Sequence, residues 1–470
     1  MRPKHNVQPE FDFQSSNLKL TRQYYRKYEE ISRVLDDNPK ILDLVHLDLK
    51  EPLEYATVKN RDGSTFRYTS DTALRIVVCQ VVEGASLREI VIRIDDSNFL
   101  RHFVRIYSGP MMDFTTLDKL KNSIRRQTWK RINQALARYA VDGMLISGEK
   151  LRLDTTAVET NIHWPTDSSL LWDSYRVLAR LIEQAREMDP RAVGERRLLK
   201  KKVKKLAVKI GRKATKNPAT AAKLKPVYEQ LIGLVEGICE WSDAVAQALT
   251  TNLQKGRYGA LNSALADVIV EDISHYRHLG QGVIEQARRR VLQDEQVPND
   301  EKIFSIFEPH TELLKRGKAG KAIEFGHMIQ IQQVEEKFIT GYEVFENKPI
   351  EHQLLAPAIE QHQKLFREYP HSVAADKGYW ENKERTDQLA RKVHLISIAK
   401  KGKRTVQETE RETDPAFRHA QRFRAGVEGS ISFLKRVLRL FRCYSKGWEH
   451  YVSTVGATVF AHNLLILARC

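Results

Sequence analysis

The sequence predicts an α/β fold with large all-α parts, and three observations support this class. Residues 1–145 read mostly as helices, with apolar side chains at helical spacing. Residues 165–300 are polar, helical in period and without clear strands. Strand-like segments occur at 150–158 and again after residue 300, where they alternate with helices. Alternation of this kind is typical of a sheet covered by helices.

Composition limits the class of protein and of partner. The 470 residues include 77 Lys and Arg against 60 Asp and Glu, a net charge of +17. A hydrophobic content of 41% and a charged content of 29% predict a globular protein that is neither disordered nor membrane-embedded. The positive charge favours a polyanionic partner such as nucleic acid, although solubility and contacts with ribosomes or membranes produce the same excess.

The cysteines and the apolar segments of the sequence predict a reducing compartment and no membrane-spanning segment. The four Cys form no C-x-x-C pair, so we expect neither a thiolate zinc cluster nor a disulfide framework. No apolar signal segment is expected at the N-terminus. The apolar stretch 451–470 contains His462, Asn463 and Arg469, which predicts a buried core helix. We therefore expect a cytoplasmic protein.

The N-terminal region contains a candidate DNA-binding motif. Helices are predicted at 17–37, 70–82 and 86–94, and a Glu-Gly-Ala-Ser turn joins the last two. Thr115 and Asp118 have the spacing of a capping box and predict the start of a further helix. Short helices around a glycine turn fit a helix-turn-helix, and they fit an ordinary helical bundle equally well.

A strongly basic helix is predicted in the middle region. Residues 196–216 contain eleven Lys and Arg and no acid. Leu199, Val203, Leu206 and Ile210 share one face of such a helix and leave the bases on the other. The bases fit a grip on the DNA backbone, and a solvated helix face is the alternative. The DNA hypothesis concerns four lysines in particular: Lys200, Lys201, Lys204 and Lys205.

After residue 300 the pattern is mixed. Strands are predicted at 303–307, 322–334, 338–345, 371–376 and 393–399. Helices are predicted at 351–368, 416–442 and 448–468.

Three acids are candidates for chemistry. Asp154 lies within the strand at 150–158, and Asp376 ends a buried-looking strand before a glycine. Glu428 is the one acid between residues 417 and 446, among eight bases. Acids that hold Mg²⁺ beside bases that hold phosphate suit phosphodiester chemistry. For any one of these acids, a helix cap or an ion pair is the alternative interpretation.

The helix predicted at 416–442 presents a charged stripe beside its apolar face. Along it lie Arg424, Glu428, Lys435, Arg439 and Arg442.

These residues carry a resemblance to bacterial insertion-sequence transposases of the DDE class. Residues 153–168 (LDTTAVETNIHWPTDS) resemble the block around the first aspartate, and residues 374–379 (AADKGY) resemble the second block. Arg424, Glu428 and Lys435 match the R-(3)-E-(6)-K part of the third block. The full signature has a Tyr three residues before the Arg, where this chain has Gln421.

The resemblance implies an RNase H-like fold, a mixed sheet flanked by helices. Asp154 and Asp376 are 222 positions apart, which leaves the helical stretch 165–300 as an insertion after the first strand. We therefore expect a helical N-terminal DNA-binding or dimerisation domain at 1–145 and a catalytic domain at 146–164 and 301–470.

The resemblance also implies a DNA transposase that binds terminal inverted repeats, cuts the transposon ends and joins the 3′-OH to target DNA. Asp154, Asp376 and Glu428 would hold two Mg²⁺ or Mn²⁺ ions, and Arg424, Lys435, Arg439 and Arg442 would contact DNA. The partners implied are double-stranded DNA and a second copy of the chain, in association with the nucleoid. Two alternatives remain, a catalytically silent DNA-binding protein and an RNase H-like nuclease.

Some residues support only weaker hypotheses. His163, Trp164 and Trp380 are candidates for stacking on bases, although core packing is favoured for a Trp. His310 has no second ligand at zinc spacing. Residues 315–321 lack the ending of a P-loop, so we expect a DNA-facing loop or hairpin tip there.

Overall fold

The computed structural model describes residues 18–59, 63–213, 218–318 and 321–469. The chain divides into two compact units. Unit 1 comprises residues 1–160 and 326–470, and unit 2 comprises residues 161–325. The functional domain boundaries expected from the sequence remain predictions.

The first part of unit 1 is helical, with one small hairpin that the sequence did not reveal. In chain order its elements are α1 (Lys19–Asp36), α2 (Pro39–Leu49), α3 (Pro52–Tyr55), β1 (Thr57–Lys59), β2 (Thr65–Arg67), α4 (Ser70–Val82), α5 (Leu87–Asp96), α6 (Asn98–Phe103), α7 (Phe114–Ser123) and α8 (Arg126–Asp142). Strands β1 and β2 pair antiparallel.

The turn between α4 and α5 is built as the sequence suggests. Gly84 has a φ of +54°, a conformation that favours glycine. Ser86 caps α5 in a capping box with Glu89. Apart from Gln80, every residue of α4 is buried, so this helix forms part of the core of unit 1.

The predicted cap of α7 is wrong. The helix begins at Phe114, and the carboxylate of Asp113 accepts a hydrogen bond from the Thr115 backbone N–H at 2.8 Å. Asp113 therefore provides the cap that was assigned to Thr115, because an aspartate in extended backbone is an equally good N-cap.

After β3 (Lys150–Thr160), the chain enters unit 2, which is mainly helical. Its elements are α9 (Asp167–Met188), α10 (Pro190–Val193), α11 (Lys200–Lys213), α12 (Pro218–Gln254), α13 (Ala260–Ala287), a π-helical turn (Arg288–Leu292) and β4 (Glu312–Lys318). The helical insertion after the first strand of the main sheet is thus confirmed.

The strand predicted at 303–307 is not formed. The Ile303 N–H donates to the side chain of Gln286, and the Ser305 hydroxyl accepts from the N–H groups of Phe307 and Glu308. Side chains thus satisfy backbone groups that a strand would pair with a neighbour.

The chain then completes the sheet and its helices. The elements are β5 (Lys321–Gln333), β6 (Ile339–Val344), a 3₁₀ turn (Glu351–Leu354), α14 (Leu355–Phe366), β7 (Ser372–Ala374), a 3₁₀ turn (Lys377–Tyr379), α15 (Lys383–Ala390), β8 (Leu395–Ser397), α16 (Val406–Thr413), α17 (Pro415–Arg436), β9 (Arg442–Cys443) and α18 (Trp448–Leu467).

The sheet of unit 1 is mixed, and β3 lies at its centre. Strand β3 pairs antiparallel with β5 and parallel with β7, while β6 continues antiparallel from β5 and β8 parallel from β7. The short β9 pairs parallel with the last residues of β3. The mixed sheet with helices on its faces confirms the predicted RNase H-like fold class.

Alternation along β3 assigns its residues to two faces. Leu151 and Leu153 belong to a buried cluster with Leu355 and Ile359 of α14. Arg152 faces the other way and donates to the Phe423 carbonyl of α17. By the same alternation, Asp154 faces α17.

The two C-terminal helices differ from their predicted form in one respect. Helix α18 is almost wholly buried, as predicted for a core helix. Helix α17 ends at Arg436, short of the predicted residue 442. The chain turns through Arg439, whose φ is +58°, and Arg442 lies in β9. Arg439 and Arg442 are therefore not on the helix that carries Glu428. None of the helices described could cross a lipid bilayer, for want of length or of apolar character.

Candidate active site

The three predicted acids meet around the guanidinium of Arg424. Arg424 Nη2 lies 3.3 Å from Asp154 Oδ2 and 4.0 Å from Asp376 Oδ2, while its Nη1 lies 3.4 Å from Glu428 Oε1. Residues from β3, from the end of β7 and from α17 thus converge on one cation, although the acids are widely separated in the sequence.

In both aspartates, the carboxylate oxygen Oδ1 accepts a hydrogen bond from a backbone N–H. Asp154 Oδ1 accepts from the Thr155 N–H at 2.8 Å, and Asp376 Oδ1 accepts from the Gly378 N–H at 2.7 Å. These bonds aim the Oδ2 atoms at the shared centre. Glu428 is different, because its side chain is 68% exposed and its position is set by α17 alone.

Burial alters the ionisation of Asp154. Desolvation raises its pKa to about 6, the charge of Arg424 opposes this, and the nearby Asp376 and Glu428 add to the rise. A partly buried carboxylate beside two like charges favours a cation at the centre of the group.

Helix α17 is docked on the sheet by a buried arginine that the sequence analysis did not select. Arg152 donates to Gln333 Oε1 at 2.6 and 2.9 Å and to the Phe423 carbonyl at 2.7 Å. Burial lowers its pKa to about 10. A Cβ at position 426 would overlap Arg152 Nη1, so Gly426 allows the helix to approach.

Gln421, which replaces the tyrosine of the family signature, also docks α17. Its Nε2 donates to the carbonyls of Ala375 at 3.2 Å and Ser397 at 2.5 Å. The amide therefore ties the helix to the ends of β7 and β8, next to Asp376. This contact offers a physical role for the one residue that departs from the signature.

A fourth carboxylate, missed by the sequence analysis, lies close by. Glu351 begins the 3₁₀ turn before α14, and its Oε1 accepts from the Thr155 hydroxyl at 2.6 Å. The contact joins residues 196 positions apart. No local motif marks such a pairing in a single sequence.

The bases predicted to contact DNA lie in different surroundings. On α17, Lys435 is half-buried. Exposed Arg439 lies 3.9 Å from Glu89, whereas Arg442 is 2.8 Å from Glu159 of β3.

In unit 2, Lys200 pairs with Glu183. The other three predicted lysines of α11 are exposed: Lys201, Lys204 and Lys205.

The weaker candidates are scattered. Trp164 is 65% exposed and packs edge-on against Phe325, so the core position favoured for it is wrong. His163 lies 3.3 Å from Asp173. Trp380 is half-buried under the guanidinium of Arg411.

Two further predictions concern the last residues of unit 2 in the sequence. His310 pairs with Glu308 at 2.9 Å. The basic segment 315–321 spans the end of β4 and the first residue of β5, and its Ala319 and Gly320 fall outside the described residues.

Residues 299–464 match the family model described as the transposase DDE domain. Over these residues the chain is similar to transposase DDE domains. The match covers Asp376, Glu428 and the helix that brings Arg424 to the site, and it confirms the resemblance to insertion-sequence DDE transposases. No curated protein and no solved structure matches the chain.

The family of the DDE domain implies DNA as a partner and generally uses divalent metal ions. Carboxylate oxygens are the ligands that Mg²⁺ and Mn²⁺ prefer, so Asp154, Asp376 and Glu428 fit such an ion in chemical type. As placed, no three acidic, His or Cys side chains within the described ranges are grouped closely enough to hold a metal. The guanidinium of Arg424 supplies the positive charge between the carboxylates instead.

Proposed function

We propose that this DDE domain belongs to an active DNA transposase that binds terminal inverted repeats, cuts the transposon ends and joins the new 3′-OH to target DNA. The observation that carries the proposal is the convergence of Asp154, Asp376 and Glu428 on Arg424. Three acids around a single base leave an excess of negative charge, which suits the binding of metal ions for phosphodiester chemistry.

The acids would hold two Mg²⁺ or Mn²⁺ ions. Such ions, when bound, stabilise the charge on the attacking and leaving oxygens and activate the nucleophile. Asp154 must be ionised to act as a ligand, and its pKa of about 6 leaves most of it ionised at pH 7. Arg424 would then turn from the carboxylates to the phosphate next to the scissile bond, a geometry for which its planar donors are suited.

Basic surfaces of each unit would contact double-stranded DNA. The exposed Lys201, Lys204 and Lys205 of α11 would contact the DNA backbone. Lys200, which pairs with Glu183, would lie beside them. Lys435, Arg439 and Arg442 follow Glu428 along the chain and are assigned to the transposon end. Residues 1–145 are assigned to DNA binding or dimerisation, since two ends must be paired by two copies. The complex would form at the bacterial nucleoid.

Substitution of the acids tests the proposal. D154N, D376N and E428Q, each purified as the full chain, should lose cleavage and strand transfer on terminal-repeat DNA by more than about a hundredfold with either metal. DNA affinity should remain. E410Q is the matched control, because Glu410 is an exposed acid on α16 and is not one of the three that converge on Arg424.

Retained cleavage in any of the three variants would contradict the catalytic assignment. DNA binding without cleavage in the unsubstituted protein would favour the silent DNA-binding alternative. Cleavage without joining, at any metal concentration, would favour the nuclease.

A further inference from the structure

The side chain of Glu351 reaches the candidate site from the opposite face of the sheet. Thr155 follows Asp154 in β3, so alternation directs the two side chains to opposite faces. Asp154 meets Arg424 of α17, whereas the Thr155 hydroxyl donates to Glu351 Oε1 at 2.6 Å. Thr155 is buried, which makes an unsatisfied hydroxyl costly there. Glu351 therefore fixes the residue adjacent to Asp154.

The second oxygen of Glu351 contacts the turn that carries Asp376. A Cβ at position 378 would overlap Glu351 Oε2 and would lie 2.9 Å from Asp376 Oδ1. The two carboxylates thus lie close together beside Gly378, whose N–H donates to Asp376. This closeness brings the charges into the range of about 4–6 Å within which they affect each other.

Tyr379 gives independent support for this arrangement. Its ring is buried in the cluster that contains Leu151 and Leu153 of β3, and its hydroxyl accepts from Gln330 Nε2 at 3.2 Å. Burial raises the pKa of Tyr379, and the charges of Asp154, Glu351 and Asp376 raise it further. One buried phenol thus lies within electrostatic reach of all three carboxylates.

We propose that Glu351 is a positioning residue for Asp154 and Asp376. It ties β3, through Thr155, to the turn at 376–378, and so fixes the separation of the two aspartates from behind the strand. The inference rests on the proposed function, because the positioned aspartates are those assigned to metal binding. The role depends on the hydrogen bond, so a neutral acceptor at position 351 should largely preserve it.

Binding of Mn²⁺ to the full chain without DNA, measured by calorimetry or electron paramagnetic resonance, tests this role. E351A should raise the half-saturating Mn²⁺ concentration about tenfold, the range seen when groups that orient metal ligands are removed. E351Q keeps an acceptor for Thr155 and should stay within about threefold of the unsubstituted chain. T155V removes the donor at constant shape and should follow E351A.

The control variant is E368A, because Glu368 is an exposed carboxylate just beyond α14. Thermal unfolding of each variant checks the fold, and T155V decides if E351A does not fold. Unchanged Mn²⁺ binding in T155V, or equal weakening in E351Q and E351A, would overturn the positioning role. D154N and D376N are measured in parallel. If they too bind Mn²⁺ normally, the proposed metal site fails, whereas loss of binding in them alone refutes only the role of Glu351.

Discussion

The two units of the chain use charge in opposite ways. In unit 1, Asp154, Asp376 and Glu428 come from three separate segments and converge on one guanidinium. In unit 2, the bases of α11 are neighbours in the sequence and spread over an exposed helix face, while Val203 and Ile210 pack in the core of that unit. The first arrangement depends on tertiary packing, and the second depends on a single helix.

The difference predicts how each region responds to substitution. Loss of one group from the converging site changes the surroundings of every other member, since all share Arg424. Loss of one lysine from α11 removes one surface charge and leaves its neighbours as they were. A single substitution in the converging site of unit 1 should therefore cause nearly the whole loss of activity. The effects of single substitutions in α11 on DNA affinity should instead add.

The largest effect is expected from R424A. Without the guanidinium, the pKa of Asp154 should rise above about 6, because Arg424 is the main charge that lowers it. Less carboxylate is then ionised at pH 7, and a phosphate ligand is lost. Cleavage of terminal-repeat DNA at saturating substrate should fall more than about a hundredfold, with its pH dependence displaced upward.

R422A is the control for this variant, since Arg422 is exposed on the same helix and points away from the acids. Equal losses of cleavage in R422A and R424A would mean that α17 contributes only its net positive charge. The proposed difference between an interdependent site in unit 1 and an additive surface in unit 2 would then be wrong.

Substitution of two glycines on α17 tests whether close packing of this helix on the sheet is needed to form the site. G426A should destabilise the fold by about 1–3 kcal/mol in urea unfolding, because the added methyl overlaps the buried Arg152 guanidinium. G429A meets no atom within 4 Å and should be neutral or stabilising by up to about 1 kcal/mol. Equal stability of the two variants would show that Arg152 can move aside and does not fix the helix.

Acid should weaken unit 1 through two buried histidines. Burial lowers the pKa of His362 and of His462 to about 4, below the usual value near 6.5. As pH falls from about 6.5 to 4, the unfolded chain binds protons that the folded chain does not, so stability is lost over this range.

H362Q keeps an N–H that can donate to the Gly148 carbonyl and removes the titration. Between pH 7 and pH 5, the free energy of unfolding of H362Q should fall by roughly 2 kcal/mol less than that of the unsubstituted chain. Urea unfolding at pH 7 and pH 5 measures this difference. An identical pH dependence in both proteins would exclude His362 as a source of acid lability.

Much of the fold was predictable because its signals are local. The first residues of strand β3 alternate, α18 is mostly apolar, and α4 and α5 are separated by a glycine turn. The candidate acids were recognisable because the resemblance places each within a short block of sequence. The approach of the two aspartates then follows from the pairing of β3 with β7, and helix α17 adds Glu428.

The features that were missed depend on distant or unmarked contacts. No glycine or proline marks the end of α17, where Arg439 adopts a positive φ. The contact of Glu351 with Thr155 and that of Arg152 with Phe423 join residues far apart in the sequence. The failed strand at 303–307 has strand-forming side chains, yet Gln286 and Ser305 take its backbone hydrogen bonds. Such competition is set by tertiary structure, which overrides local preference.

The smallest effect is expected from the basic helix. K201Q/K204Q/K205Q should weaken binding to terminal-repeat DNA about tenfold near physiological salt and should leave cleavage at saturating DNA unchanged. If all three lysines contact phosphates, the slope of log affinity against log salt should fall by up to about 2.7, since each contact contributes about 0.9.

The matched control is R191Q/K223Q/K255Q, which removes the same charge from exposed but dispersed sites of unit 2. A net-charge effect alone would give both triple variants the same affinity and the same slope. A larger change in the α11 variant, reached in equal steps by its single variants, would show that this helix contributes additive DNA contacts. A loss of cleavage at saturating DNA would instead show that α11 affects catalysis, and the division between an interdependent site and an additive surface would not hold.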